Sequence, residues 1–366
     1  MIRPAQVLSL IVAGIALAGA GVWLVSRHGA DSSADAPTQV LNLRQDELNY
    51  VTRMRIFKGD GSHATLKRDG ARWLVEERAY PADTGQVRKL LLDLASLQVE
   101  EQKTAEPALY AKLGVEEPAG VQSTSTGLDI DSNGKTQRLI VGKTSGTRSV
   151  YVRVVGARPS VLATPQLVPD ADPRHWLERS LLDIAPDQVT QIEVKVQGTP
   201  DYSINRAAAG AAADFLVSPI PKGRKLADPS APASQAGALA ALQLDDVRKA
   251  GSIAPTAQAI FQTRDGLSLT LAGIKDGELR YITVVAGATA PAAQGRARDL
   301  NARLAGWEFE LPGYRYDQLF KPLEQLLVPK QPPSSGPAAS PNHSPVTPSA
   351  APTALPFGPK AQGDSH

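Results

Sequence analysis

The chain has no cysteine. Disulfides, thiolate metal sites and a cysteine nucleophile are therefore excluded, while the redox compartment is left open. Histidine is sparse: His28, His63, His175, His343 and His366 are scattered, and no two stand four residues apart. Zinc built on histidine would have to gather ligands from remote places. A formal net charge of +2 over 366 residues, with Lys and Arg spread along the chain, gives no electrostatic case for nucleic acid. The strings G-x-S-x-G, H-E-x-x-H and G-x-G-x-x-G are absent. No catalytic, cofactor-binding or metal-ligating residue is named, and no cofactor is expected.

Two strings do suggest ligands. Asp129, Asp131, Asn133 and Gly134 look like the start of a calcium loop, but its twelfth position is Ile140, which has no oxygen ligand to offer. Asn133-Gly134 reads better as a hairpin turn. Gly142-Lys143-Thr144 looks like the end of a phosphate loop. Its first glycine should stand at Gln137, and a strand rather than a helix follows. Gly142 to Gly146 is expected to be a plain loop. Glu76-Glu77 and Glu100-Glu101 read as solvated acids, and Trp73 and Trp176 as core residues rather than stacking platforms.

What the chain does have is one long apolar run. Val7 to Val25 is 19 residues without a charge, close to the roughly 20 that span about 30 Å of hydrocarbon. Ala16, Ala18 and Ala20 could mark a cleavage site, yet the run continues through Trp23, Leu24 and Val25, so an uncleaved anchor is expected. Arg3 and Arg27 nearly balance the flanking charge. The orientation rests on the six-residue head, too short to be a domain, with the bulk of the chain outside. Small, polar and acidic residues follow from Ser26 to Pro37. From Gln331 onward Pro, Ser and Ala dominate, with too little apolar mass to offset the entropy of ordering. Asn342-His343-Ser344 is a weak glycosylation match within it.

Between these ends the chain repeats itself. Val51-Thr52-Arg53-Met54-Arg55-Ile56 returns 138 residues later as Val189-Thr190-Gln191-Ile192-Glu193-Val194. Thr65-Leu66-Lys67-Arg68 returns as Ser203-Ile204-Asn205-Arg206 at the same offset. Trp73-Leu74-Val75 returns four residues late as Phe215-Leu216-Val217, after an Ala-rich insertion. Leu94 to Val99 resembles Leu239 to Leu244. Thr52, Met54 and Ile56 share one strand face, as do Thr190, Ile192 and Val194.

Each unit reads as strands, a helix, then more strands. Asp83 and Gln86 cap a helix whose stripe is Val87, Leu90, Leu91 and Leu94, and Tyr80-Pro81-Ala82-Asp83 is a rigid lead-in to it. A short helix from Asp172-Pro173, carrying Trp176, Leu177 and Leu181, closes the first unit. A last helix runs from about Tyr316 to Leu327, kinked at Pro322. Asp60-Gly61, Asp69-Gly70, Asn133-Gly134, Asp265-Gly266 and Asp276-Gly277 are expected as two-residue type I′ turns.

The expected fold is α+β: two tandem similar lobes of antiparallel sheet with a few short helices, preceded by one transmembrane helix. The expected segments are a cytoplasmic head (1–6), a transmembrane helix (7–25), a stalk (26–48), a first lobe (49–182), a second lobe (183–330) and a disordered Pro/Ser/Ala-rich tail (331–366).

Trp73-Leu74-Val75, Tyr80-Pro81-Ala82-Asp83, the Leu-rich helix, Leu113-Gly114-Val115, Trp176 to Leu182 and Leu311-Pro312-Gly313-Tyr314, in that order, resemble a bacterial domain-of-unknown-function family. The resemblance covers about Leu43 to Pro329. It implies a single-pass protein of the bacterial inner membrane with a duplicated extracytoplasmic, periplasmic region, encoded near ABC transporters of the gliding-motility type. The implied role is a non-enzymatic interaction or accessory protein for export or envelope assembly, with protein partners, ABC transporter subunits among them. The alternative is a lipid- or glycan-binding module with a cleft between its lobes. The resemblance brings no catalytic residues, and oligomeric state stays open.

Overall fold

The computed structural model describes residues 38–208 and 214–329. The expected head (1–6), transmembrane helix (7–25) and tail (331–366) lie outside the described residues. Among the described residues no helix is long and apolar enough to cross a membrane.

Nine strands form the first sheet. They are β1 (Val51–Lys58), β2 (His63–Asp69), β3 (Arg72–Val75), β4 (Tyr80–Pro81), β5 (Gln98–Gln102), β6 (Thr126–Ser132), β7 (Lys135–Ser145), β8 (Ser149–Val154) and β9 (Val161–Thr164). Their order is β4-β3-β2-β1-β6-β7-β8-β9-β5, antiparallel throughout. β10 (Ser180–Leu182) follows. Then come β11 (Val189–Val196), β12 (Tyr202–Arg206), β13 (Phe215–Ser218), β14 (Leu242–Gln243), β15 (Asp246–Lys249), β16 (Ala257–Thr263), β17 (Leu267–Asp276), β18 (Leu279–Ala288) and β19 (Trp307–Glu310). The second sheet is antiparallel in the order β13-β12-β11-β16-β17-β18-β19-β15, and β10 pairs with β14 apart from it.

The two sheets repeat each other in register as well as in order. Met54 faces Leu66 and Ile56 faces Ala64 in β1–β2; Ile192 faces Ile204 and Val194 faces Tyr202 in β11–β12. Each of these partners stands 138 residues from its counterpart. Both first strands break register at the same place, between Val51 and Arg53 and between Val189 and Gln191. That bulge corrects one expectation. Thr52 is exposed and Val51 takes the core position, because the extra residue reverses the side-chain alternation. The hydroxyls turned out of the core bond to the neighbouring strand, Thr52 to the Asp131 carbonyl and Thr190 to the Gln262 carbonyl.

Helix α1 (Thr84–Ala95) buries Val87, Leu90, Leu91 and Leu94, and the Asp83 carboxylate accepts the Gln86 amide at 3.0 Å. A short α2 (Tyr110–Leu113) sits beside β7, and its counterpart of α1 in the second half, α3 (Ala231–Ala236), is half as long as α1. α4 (Gln294–Leu304) packs against β18.

Three expected elements differ. The helix expected from Asp172 is a single 3-10 turn, Pro173–Trp176. Beyond it Leu177 is extended, bridged to Ala82, and Glu178 donates to the Pro81 carbonyl, so this stretch serves as strand and Leu181 belongs to β10. The last helix is two, α5 (Gly313–Leu319) and α6 (Leu323–Leu326), because Pro322 lacks an N–H and holds extended backbone between them. Of the five turn dipeptides only Asn133-Gly134 has positive φ at both residues. At Asp60 and Asp265 the carboxylate instead accepts the amide two residues on, which makes a longer loop.

The packed body starts before residue 49. Leu41 and Leu43 are buried, and Val40 and Val99 donate to Leu97 and Thr38 along the outer edge of β5. β10, though placed by sequence in the first lobe, pairs with β14 of the second half. One continuous apolar core runs through both sheets, joined by Leu177, Leu181, Leu182 and Ile184.

Candidate functional site

The two ligand-like strings fold into ordinary sheet. Asp129 pairs with Arg138 at 3.3 Å, and Asp131 accepts the Thr136 hydroxyl at 2.6 Å across the Asn133-Gly134 turn. Partial burial pushes the Asp129 carboxyl up, and Arg138 opposes it. Gly142 to Gly146 is not a loop as expected: β7 continues to Ser145, with a bulge between Val141 and Thr144. A Cβ on Gly142 would stand 2.4 Å from the Leu113 carbonyl, so close backbone approach explains the glycine. The Lys143 ammonium donates to the Lys112 carbonyl. Glu76 pairs with Arg53, and Glu77 accepts the Thr65 amide. Trp73 and Trp176 are both buried, and the Trp176 indole donates to the Asp170 carbonyl.

Three features remain. The first is a cleft of about 490 Å³ where the halves meet, lined by Glu76 to Ala79, Asp246 to Lys249 and Tyr281. One ion pair spans it, and its other arginine is held by carboxylates behind the lining. The Arg78 guanidinium grips Asp246 through two bonds of 2.7 and 2.8 Å. Arg248 donates to Glu308 and to Asp276, each at 2.7 Å, and lies 3.8 Å from the Tyr281 ring centre. Lys249 stands 3.3 Å over Trp307.

Behind this seam Tyr80 meets Trp307 and Phe309 edge-on, at 5.2 and 6.1 Å. Burial pushes the Tyr80 phenol up to about 12, with Arg303 opposing. An unfolded tyrosine ionises near 10, so the folded state resists forming this phenolate. Its contribution is fully present below about pH 10 and is lost as pH rises towards 12. Alkaline titration of stability is expected to fall in that window, and Tyr80→Phe is expected to shrink the fall; an unchanged alkaline slope in the variant would refute the assignment.

The second feature is a groove of about 560 Å³ between α1 and the β7–β8 hairpin, with Leu90, Leu167 and Trp176 at its base and Lys89, Arg148 and His175 along its rim. Lys89 is held by Asp93 at 2.6 Å.

The third is the outer edge of β13. In the first sheet the equivalent strand, β3, is covered by β4; β13 has no outer neighbour among the described residues. The effect on burial is direct. Val75 is fully buried, whereas its counterpart Val217 is only partly buried and Leu216 is 57 % exposed. Ala207 donates to Asp214, and Asn205 faces Leu216 two residues on. By the alternation of an antiparallel ladder, the amides and carbonyls of Phe215 and Val217 therefore point away from β12. The packing around the strand repeats too: Arg206 covers the Phe215 ring at 4.4 Å as Arg68 covers Trp73 at 5.9 Å.

The family model for a domain of unknown function, DUF4340, matches residues 73–262, just over half of the chain. The chain belongs to the DUF4340 family. No curated protein and no solved structure matches it. In this DUF4340 protein the matched stretch begins at Trp73 in β3 and ends in β16. It contains the β3–β4 pair, α1, the β10 crossover and the open edge of β13.

Proposed function

We propose that this DUF4340 protein is a non-enzymatic accessory protein, tethered outside the bacterial inner membrane, that holds a protein partner of an ABC-type export or envelope-assembly system by adding a partner strand to β13. The observation that carries this reading is the unequal pair of sheets. The same strand order is built twice, and among the described residues β3 has an outer neighbour, β4, while its counterpart β13 has none, with Leu216 exposed along it. Main-chain groups turned away from the ladder are the template for strand addition, and exposed apolar side chains on the edge supply selectivity. The uncharged run from Val7 to Val25 supports the tether.

A photo-crosslinking residue in place of Leu216, in the full-length chain in membranes, tests this. The expected adduct is a transporter or envelope component that disappears when Val217 is replaced by proline. Adducts with abundant bystanders only, or adducts indifferent to that replacement, would overturn the reading.

The groove beside α1 favours a second reading, a lipid- or glycan-binding module. Its apolar base, with Arg148 exposed at the rim and in no ion pair among the described residues, suits an amphipathic ligand. Solvent extraction of the purified chain would then yield a stoichiometric lipid or glycan that Arg148→Glu removes.

A further inference from the structure

Resting on the strand-addition reading, we infer the chemistry of the incoming strand: it runs antiparallel to β13 and carries a large apolar or aromatic residue followed by proline, with a carboxylate a few residues before that pair. The first lobe supplies the geometry. Tyr80 faces Val75, Pro81 faces Leu74, and the Ala82 amide donates to the Trp73 carbonyl at 2.8 Å. Val75 faces Leu66 and Val217 faces Ile204, the equivalent residue, so Trp73, Leu74 and Val75 superpose in register on Phe215, Leu216 and Val217.

Each position of the motif then has a physical reason. A residue opposite Val217 lies on the core side of the sheet, where Val217 is only partly buried while Val75, opposite Tyr80, is fully buried. A large apolar side chain restores that cover. The next residue stands opposite Leu216, whose own amide and carbonyl face inward to Asn205. No ladder bond is asked of it, so proline is tolerated there as Pro81 is opposite Leu74. Its ring also meets the exposed Leu216 side chain on the outer face.

The carboxylate follows from the charge beyond the strand. Lys222 and Lys225 are exposed and make no ion pair among the described residues, whereas Arg224 between them reaches Glu324 at 3.1 Å. These lysines come after Ser218, the last residue of β13. In an antiparallel pair that end of β13 meets the amino-terminal side of the incoming strand. Acidic residues placed there meet uncompensated positive charge, and the attraction weakens with salt.

The probe is the octapeptide Glu-Glu-Arg-Ala-Tyr-Pro-Ala-Asp, the chain's own residues 76–83, labelled with fluorescein and titrated with the full-length chain in detergent. Controls are a scrambled octapeptide, the same peptide with both leading glutamates made lysine, and a threonine-valine peptide of equal length. The probe is expected to bind about tenfold or more tightly than each control at low salt. Val217→Pro is expected to remove that binding. The Val217 amide faces away from β12, so the substitution spares the ladder, and circular dichroism checks that the fold survives. Lys222→Glu with Lys225→Glu should erase the preference for the acidic peptide over its lysine form and leave the fold intact.

Equal binding by the threonine-valine peptide, still lost in Val217→Pro, would overturn the motif while leaving strand addition standing. Binding by no peptide, or binding that Val217→Pro leaves unchanged, would overturn both. A dimer seen by sedimentation that Val217→Pro dissolves would also overturn the motif, since the occupant would be a second copy of β13.

Discussion

Replacing Arg248 by methionine is expected to lower the unfolding free energy by about 3 kcal/mol. The cause is the group it would leave behind. Glu308 is 1 % exposed, and its carboxylate is held by the Arg248 guanidinium and by the Gly251 amide, at 2.7 and 2.8 Å. Methionine keeps most of the aliphatic stem and its packing on Tyr281 but removes the charge. One amide then remains to satisfy a buried anion. Breaking a buried pair from one side costs about 3–5 kcal/mol. The lower end applies because Arg248 itself is one-third exposed and its second bond, to Asp276, is screened by solvent. The double variant Arg248→Met with Glu308→Leu removes the stranded charge and is expected to recover more than half of the loss. Urea unfolding followed by tryptophan fluorescence measures both. A single-variant loss under about 1 kcal/mol would mean that the pair is a surface bridge and that the seam is not dry.

That seam shows where sequence reasoning stops. The duplication was legible because it preserves strand parity: the apolar residues of Val51–Ile56 and Val189–Val194 keep their spacing, and the structure keeps their register. Two apolar faces of antiparallel sheet with short helices follow from that pattern. The bulge after Val51 was not legible, since Thr52 fits the alternation by residue type and only the ladder shows that its hydroxyl turns to Asp131. The helix expected at Asp172 failed for a tertiary reason. Proline at a first turn starts a helix locally, but Leu177 and Glu178 are taken by the edge of β4. The seam depends on Arg78 and Asp246, 168 positions apart, and on the Glu308 pocket, and no local string announces either. The open edge was not legible. Tyr80-Pro81 follows Trp73-Leu74-Val75 and Ile220-Pro221 follows Phe215-Leu216-Val217, yet among the described residues only Tyr80-Pro81 turns back to pair with the strand before it; an apolar residue before proline does not by itself announce a strand.

Phe309→Ala is the other large expected effect, at about 3–5 kcal/mol, and it bears on whether the two halves are one cooperative unit. Phe309 has no exposed surface, lies in β19, and meets the ring of Tyr80 from the first sheet. Deleting its ring removes transfer energy and leaves a cavity that β15 and β18, fixed on either side by their ladders, have little freedom to fill. Because the cavity opens on the junction, its cost falls on the contact between the halves as well as on the second sheet. The continuous core through Leu177, Leu181 and Ile184 argues for a single transition in the unaltered chain. In Phe309→Ala the midpoint should drop while the transition stays single, with the urea dependence unchanged. Two resolved transitions in the unaltered chain, only the later of which moved in the variant, would show that the halves fold independently. The Tyr80 contact would then be a docking surface between domains rather than part of a shared core.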